Sequence, residues 1–159
     1  MGVGLEDGRV VVEDVEKKKR VLTSPLDYHL QRVCSLAFNS GDLLSTGSRD
    51  KAIHTLDLRT GKKALFLAGH RQEVCGLKWS PYSTDYLASG SNDNQLKVWS
   101  AKMSRQYAVN TAHQAAVKAI DWDPYNYNQV VSGGGSQDKQ LIIYNYQKDQ
   151  VVHKEKTPS

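Results

Sequence analysis

The sequence predicts an all-β fold in which one small antiparallel sheet is repeated along the chain. Short stretches alternate apolar residues with polar or small ones and stop at turn residues, which is typical of half-buried strands. The same polar positions also return after about 43 residues. No useful length of the chain shows helical periodicity.

The repeat is defined by three columns of polar residues. Aspartates recur at intervals of 43, 43 and 45 residues: Asp7, Asp50, Asp93 and Asp138. Seven residues after each comes a second column: Asp14, Asp57, Ser100 and Asn145. Histidines recur at intervals of 41 and 43 residues: His29, His70 and His113. A period of 40 to 45 residues with Gly-His and Trp-Asp-like pairs is typical of WD repeats, each of which forms one blade of a β-propeller.

The alternating stretches place the strands within each repeat. First strands are predicted at 74–79 and 117–122, and Pro81 or Pro124 follows soon after each. Second strands are predicted at 87–89 and 130–132, and third strands at 96–99 and 141–144. Asn- and Asp-rich turns separate them, so each repeat is one antiparallel sheet.

Counting these strands predicts an incomplete WD-repeat β-propeller of about three and a half four-stranded blades. Residues 1–30 form a partial first blade with strands near Gly8–Asp14 and Lys19–Thr23, residues 31–154 form three WD-repeat blades, and residues 155–159 begin a missing next blade. Because propellers close with four to eight blades, we expect a fragment, an incomplete gene model or a half-propeller that pairs with another chain. Open sheet edges predict self-association.

Polar residues within the best-preserved repeat predict a buried hydrogen-bond network. Trp99 can donate its indole N–H to Ser89, and the Ser89 hydroxyl can donate to His70. The other His70 nitrogen can donate to Asp93. The next repeat has the same residue types at His113, Ser132 and Asp138. We predict that all seven residues are structural, because leaving one member unpaired would cost about 1 to 3 kcal/mol.

Ser, His and Asp are also the residue types of a nucleophilic triad. Their recurrence in successive repeats favours a structural network over catalysis, so we predict that the protein is not an enzyme. His70 and Cys75 do not complete a four-ligand metal set. The run Gly133–Gly135 lacks the Gly-Lys-Ser/Thr ending of a phosphate-binding loop. We therefore expect no metal and no cofactor.

Composition is that of a globular protein, with 159 residues, 39% hydrophobic and 24% charged, and a net charge of +4. No run of eighteen apolar residues or apolar signal core occurs, so neither membrane insertion nor secretion is expected. Cys34 and Cys75 occupy equivalent strand positions, which argues against a disulfide and for an intracellular protein.

The basic run 17–20 suits a solvated loop. The alternative is a nuclear-import or nucleic-acid patch, but no aromatic residues interleave with the run. We expect no nucleic-acid partner and a location in nucleus and cytoplasm.

Three segments carry a more specific likeness: HRQEVCGLKWS at 70–80, LASGSNDNQLKVW at 87–99, and HQAAVKAIDWDP followed by VSGGGSQDKQL within 113–141. They resemble blades of the Fizzy and Fizzy-related coactivators of the anaphase-promoting complex, and they look closer to Fizzy-related. The resemblance implies a propeller that binds short linear degrons in substrate proteins and links them to ubiquitin-dependent proteolysis in the cell cycle.

In that family a Lys-Glu-Asn (KEN-type) degron lies against turns of the propeller. The family pattern GGNDN appears at 90–94 as GSNDN, with Ser91 in place of the second glycine, and the resemblance implies degron contacts at Asn92 and Asn94. The pattern GGGT appears at 133–136 as GGGS, and the resemblance implies a contact at Ser136, which takes the place of the Thr and keeps its hydroxyl. The alternative is that these residues only form tight turns. The family's C-box and Ile-Arg tail are not found in this sequence, so substrate binding is expected more than activation of the anaphase-promoting complex.

A second function remains open. The segment 56–59 resembles the WD-x-R ending of WD-repeat substrate receptors for cullin ligases, with Leu56 in place of the aromatic residue. This reading makes the chain a substrate receptor or scaffold of another ubiquitin ligase. An inactive fragment is a further alternative.

Overall fold

The described part of the chain is built from fifteen β-strands in four antiparallel sheets. The computed structural model describes residues 1–16, 19–24, 28–39 and 41–158. Sheet 1 contains β1 (Gly2–Gly4), β2 (Val10–Asp14) and β3 (Lys19–Thr23). Sheet 2 contains β4 (Val33–Phe38), β5 (Leu43–Ser48), β6 (Ala52–Asp57) and β7 (Lys62–Ala68). Sheet 3 contains β8 (Val74–Trp79), β9 (Tyr86–Ser91), β10 (Leu96–Ser100) and β11 (Arg105–Asn110). Sheet 4 contains β12 (Val117–Trp122), β13 (Gln129–Gly134), β14 (Gln140–Asn145) and β15 (Gln150–Lys156).

Strand order in every sheet follows the chain, so each sheet is a simple up-and-down meander. The predicted all-β fold with four-stranded propeller blades is confirmed. The short strand β1 was not predicted, because two of its three residues are glycines and give no alternating pattern. β15 continues past residue 154 to Lys156.

Apolar side chains pack between successive sheets and form three clusters. Between sheets 1 and 2 lie Val10, Val12, Tyr28, Leu44 and Leu56. Between sheets 2 and 3 lie Ala37, Ile53, Leu67, Val74, Trp79, Leu87 and Trp99. Between sheets 3 and 4 lie Ala88, Leu96, Val98, Ala108, Val117, Trp122, Val130, Ile142, Tyr144 and Tyr146. Adjacent sheets therefore bury their facing sides against each other, as blades of a propeller do.

Glycine allows sheets 3 and 4 to approach closely at their inner strands. A Cβ atom on Gly90 would lie 2.3 Å from the Val117 carbonyl oxygen, and one on Gly76 would lie 2.6 Å from the Lys118 carbonyl oxygen. β4, β8 and β12 pack side by side as the first strands of successive sheets, and these glycines permit the close approach of sheets 3 and 4. Of the predicted basic run, Lys17 and Lys18 lie outside the described residues. None of the described segments forms a helix able to cross a membrane.

Candidate functional site

A buried hydrogen-bond network joins the loop before sheet 3 to the turn between β9 and β10. Asp93 Oδ2 lies 2.9 Å from His70 Nδ1, and Ser89 Oγ lies 2.7 Å from His70 Nε2. Trp99 Nε1 donates to the same Ser89 oxygen at 2.7 Å. Since a carboxylate can only accept, His70 Nδ1 carries a proton and donates to Asp93.

The same three-part contact is present in the neighbouring sheets. In sheet 2, His29 lies 2.9 Å from Asp50 and 2.8 Å from Thr46. In sheet 4, His113 lies 2.5 Å from Asp138 and 2.8 Å from Ser132. The fourth member differs, because Leu56 and Tyr144 stand where sheet 3 has Trp99. We call the shared His, Asp and hydroxyl contact the clamp.

The clamp hydroxyls cannot be reached by a substrate. Ser89 and Thr46 are 0% exposed and Ser132 is 1% exposed, while the three histidine side chains are fully buried. A catalytic serine would need an open approach to its oxygen and nearby oxyanion donors. The arrangement instead suits a structural role that fixes each turn to a loop. Among the described residues, no cluster of three or more His, Cys, Asp or Glu side chains could hold a metal ion.

Electrostatics hold the clamp together as well. Burial alone would raise the pKa of Asp93, but bonds from His70 and from the backbone N–H of Arg71 outweigh it and lower the pKa to about 2. Burial lowers the pKa of His29, and its bond to Asp50 only partly opposes this. Asp93 is therefore ionised at neutral pH and anchors both a side chain and a loop.

The clamped turns lie at one end of the sheets, which we call the upper face: the turns after β5, β9 and β13 with the loops before β4, β8 and β12. One backbone bond repeats there. Arg49 N donates to Arg32 O at 3.1 Å, Asn92 N to Glu73 O at 3.0 Å, and Gly135 N to Ala116 O at 2.9 Å. Arg49, Asn92 and Gly135 thus occupy the same position in three successive sheets.

The predicted contact residues lie on two neighbouring turns of the upper face. Asn92 is half-buried, and its Oδ1 accepts from the Cys75 thiol at 3.6 Å. Asn94 is on the same turn. Ser136 is exposed and follows Gly135, so sheet 4 presents no side chain at the position of Asn92 itself.

Asn94 has a backbone conformation that the turn requires. Its φ is 66°, in the left-handed region. The residue after the clamp aspartate has the same conformation in sheets 2, 3 and 4: Lys51 (75°), Asn94 (66°) and Lys139 (50°). In sheet 1, Gly8 (85°) has it after Asp7. Asn adopts this region more readily than most residues, so turn formation accounts for Asn94 independently of any ligand.

A polar cavity of about 500 Å³ opens on the upper face beside Asn92; we call it the upper groove. It is lined by Gln31, Arg32, Arg49, Lys51, Gln72, Glu73 and Asn92. Arg32 Nη2 donates to Glu73 at 2.9 Å, joining the loops before β4 and β8. Bonds from the Cys34 thiol and from Arg32 lower the pKa of Glu73. Burial raises the pKa of Cys34 to about 11, so its thiol is neutral.

Sequence reasoning missed the charged residues of the groove. Arg32 and Glu73 each lie three residues after a clamp histidine, in the same column of the repeat. Opposite charges in one column of adjacent repeats were the available signal for this ion pair. Arg59, which the cullin-receptor reading emphasised, is 72% exposed and lies within 4 Å of Asp42 and Asp57 on its own sheet.

Comparison with known proteins agrees with this architecture. The family model described as "WD domain, G-beta repeat" matches residues 61–100 and 104–145. Over 97% of its length the chain superposes, with a TM-score of 0.90 and 39% identity, on a chain of the structure entitled "Crystal Structure of Mitotic Checkpoint Complex". It covers 48% of that chain.

Curated relatives carry cell-cycle names. The chain is 44% identical over 81 residues to "Protein FIZZY-RELATED 2" of Arabidopsis thaliana and 42% identical over 81 residues to "B-type cell cycle switch protein ccs52A" of Medicago truncatula. It is 43% identical over 83 residues to "Anaphase-promoting complex subunit cdh1" of Dictyostelium discoideum. Half of this chain is matched, but only 16%, 16% and 11% of these relatives, respectively. The predicted resemblance to Fizzy-related proteins is confirmed.

Proposed function

We propose that this chain, which belongs to the WD domain, G-beta repeat family, binds short linear degrons of the Lys-Glu-Asn type on its upper face. By doing so it would select substrate proteins for ubiquitin-dependent proteolysis in the cell cycle. The observation that carries the proposal is the position of Asn92, half-buried beside the upper groove on a clamped turn. The Fizzy-related and anaphase-promoting complex names of its relatives support it.

The chemistry of these turns suits such a peptide. An Asn side chain offers both donors and acceptors, so Asn92 can pair with a Glu carboxylate or with an Asn amide. Ser136, exposed on the neighbouring turn, adds a hydroxyl that can donate or accept. Asn94 is the third proposed contact, in addition to its part in the turn.

Rigidity favours the same function. The backbone N–H of Asp93 bonds to Ser91 Oγ at 3.1 Å, and the Asp93 carboxylate receives the N–H of Gln95 at 3.0 Å. The His70 bond then fixes the turn to the preceding loop. A peptide that binds here meets side chains already in place, so little ordering entropy opposes association.

This role is binding and not catalysis, with degron-bearing proteins as the direct partners. We include in the same proposal that the chain associates with the anaphase-promoting complex and that it is located in the nucleus and cytoplasm. For the cullin-receptor alternative, the ion pairs of Arg59 within its own sheet give no specific support, so we do not advance it.

The test compares two single substitutions in the full chain. Asn92→Ala should lower the affinity for a fluorescent Lys-Glu-Asn peptide about tenfold, because a polar group of the peptide that loses its partner costs about 1 to 3 kcal/mol of binding free energy. Lys102→Ala is the control, since Lys102 lies on the turn after β10, at the opposite end of the sheets. Fluorescence anisotropy measures affinity, and thermal melts check folding. Equal affinity for Asn92→Ala and the parent chain would refute the assignment.

A further inference from the structure

The turn between β5 and β6 repeats the geometry of the proposed degron turn with different chemistry. Arg49 makes the same backbone bond as Asn92, to the residue three after the clamp histidine. Lys51 has the same left-handed conformation as Asn94, with φ values of 75° and 66°. Two cations therefore stand in sheet 2 at the positions where sheet 3 has the two proposed contact asparagines.

These cations are available to a ligand. Arg49 and Lys51 are both exposed, and neither forms an ion pair with any residue in the described part of the chain. Glu73, the carboxylate of the groove lining, is already bonded to Arg32 at 2.9 and 3.1 Å. The described residues of the lining thus contain three cations, Arg32, Arg49 and Lys51, and one carboxylate, Glu73, so positive charge is in excess there.

The groove is continuous between the two turns. Asn92, Arg49 and Lys51 line the same cavity of about 500 Å³. Gln31 and Gln72 also line it, and their amides can bond to a peptide backbone. A peptide that contacts Asn92 therefore has a polar path that leads to the cations.

We propose that Arg49 and Lys51 bind an acidic side chain of the substrate, a few residues from the Lys-Glu-Asn core, and so make acidic-flanked degrons the preferred class. This inference rests on the proposed function of the upper face. Its chemistry is a charge-assisted contact between a carboxylate and two cations. An acidic peptide fits better than a nucleic acid, because none of the described residues that line the groove is aromatic and could stack on bases.

The experiment measures how the affinity of the full chain for a peptide depends on the position of one acidic residue in that peptide. The probes are fluorescent peptides with a Lys-Glu-Asn core and Ala flanks, each carrying a single Asp at one flanking position. The test variant combines Arg49→Gln with Lys51→Asn, because Asn tolerates the left-handed conformation, as Asn94 does. The matched control combines Lys102→Gln with Arg105→Gln. It removes two exposed cations at the ends of the β10–β11 turn, away from the groove.

At one or more flanking positions, Asp should strengthen binding to the parent chain about fivefold at low salt, the effect of one to two exposed ion pairs. The control variant should show the same gain. The Arg49→Gln, Lys51→Asn variant should show none, and high salt should reduce the gain in the parent. Asn92→Ala should lower the affinity for every peptide, whether or not the peptide contains Asp.

The two proposals fail differently. If Asn92→Ala weakens all peptides but no Asp position improves binding, or the gain persists in the test variant, the acidic-flank inference is wrong and the proposed function stands. If Asn92→Ala leaves the affinity for every peptide unchanged, or if the parent chain binds none of the peptides, the proposed function is wrong. The inference is then wrong as well, because it rests on that function. A different outcome is that the Arg49→Gln, Lys51→Asn variant loses binding to a short oligonucleotide while it keeps its affinity for the acidic peptides. That result would also overturn the inference, and it would make the two cations part of a polyanion-binding site.

Discussion

Sheets 3 and 4 contain the same clamp but complete it in different ways. In sheet 3 the indole of Trp99 donates to the clamp oxygen of Ser89 at 2.7 Å. In sheet 4 Tyr144 takes that place, but its hydroxyl donates to Asp149 and lies 3.3 Å from the Val109 carbonyl oxygen. The aromatic residue therefore stabilises the clamp hydroxyl in one sheet and the outer turn in the other. The contact that both sheets share is therefore the one between His, Asp and a hydroxyl side chain.

The two clamp carboxylates also differ in their support. Asp93 accepts from the backbone N–H groups of Arg71 at 2.8 Å and Gln95 at 3.0 Å. Asp138 accepts from Gln114 N at 3.0 Å and from His113, and its side chain is 0% exposed. With fewer backbone donors in the described structure and complete burial, Asp138 depends more on its histidine than Asp93 does.

Removing the clamp histidines should give the largest effect and test this difference. His113→Ala should lower the free energy of unfolding by about 3 kcal/mol, because it leaves a buried carboxylate with little support. His70→Ala should cost about 2 kcal/mol, since two backbone donors remain on Asp93. Urea unfolding followed by tryptophan fluorescence measures both.

His153→Ala is the matched control, because the His153 side chain is 57% exposed. It should change stability by less than about 0.5 kcal/mol. If His70→Ala costs as much as His113→Ala, neither the number of backbone donors nor the burial of the carboxylate explains the strength of the clamp.

Acid should weaken the clamp of sheet 3 in a defined window. The folded pKa of Asp93 is about 2, below its usual value of 3.8, so the folded state binds fewer protons than the unfolded state. Its contribution to stability is then complete above pH 4 and is lost as the pH falls towards 2. Urea unfolding from pH 5 to pH 2 should show this loss.

Asp93→Asn isolates the effect from that of other carboxylates. The variant should be less stable than the parent at pH 5, and the gap should narrow as the pH approaches 2. A gap that stays constant over this range would mean that Asp93 ionisation does not contribute to folding.

The repeat explains how much of this molecule the sequence could predict. Residues of the clamp recur at fixed intervals, so the spacing of His70, Ser89 and Asp93 was enough to predict which side chains meet. β1 was missed because Gly2 and Gly4 carry no side chain that would show alternation. Lys97 was also unforeseen: it is 6% exposed, and its ammonium donates to Gly69 O and Gln106 Oε1.

The candidate site was predicted less completely, for a geometric reason. Asp138 lies six positions after Ser132, whereas Asp93 lies four positions after Ser89. The longer turn puts Gly135 at the place of Asn92 and moves Ser136 one residue along, which column spacing does not reveal. Arg49 was missed as the counterpart of Asn92 although each lies one residue before the recurring aspartate, because its residue type differs from the asparagine of the family pattern.

The smallest expected effect concerns Asn94 and distinguishes its two roles. Asn94→Ala should destabilise the chain by about 1 kcal/mol, because a Cβ-bearing residue other than Asn or Asp is strained at a φ of 66°. Asn94→Gly should change stability by less than about 0.5 kcal/mol, because glycine adopts this region freely. Peptide affinity of the well-folded Asn94→Gly chain then reports on the amide alone. A loss of threefold or more would assign Asn94 a contact with the degron, whereas unchanged affinity would leave it as the residue that shapes the turn for Asn92, in the way that Lys51 and Lys139 shape the equivalent turns of sheets 2 and 4.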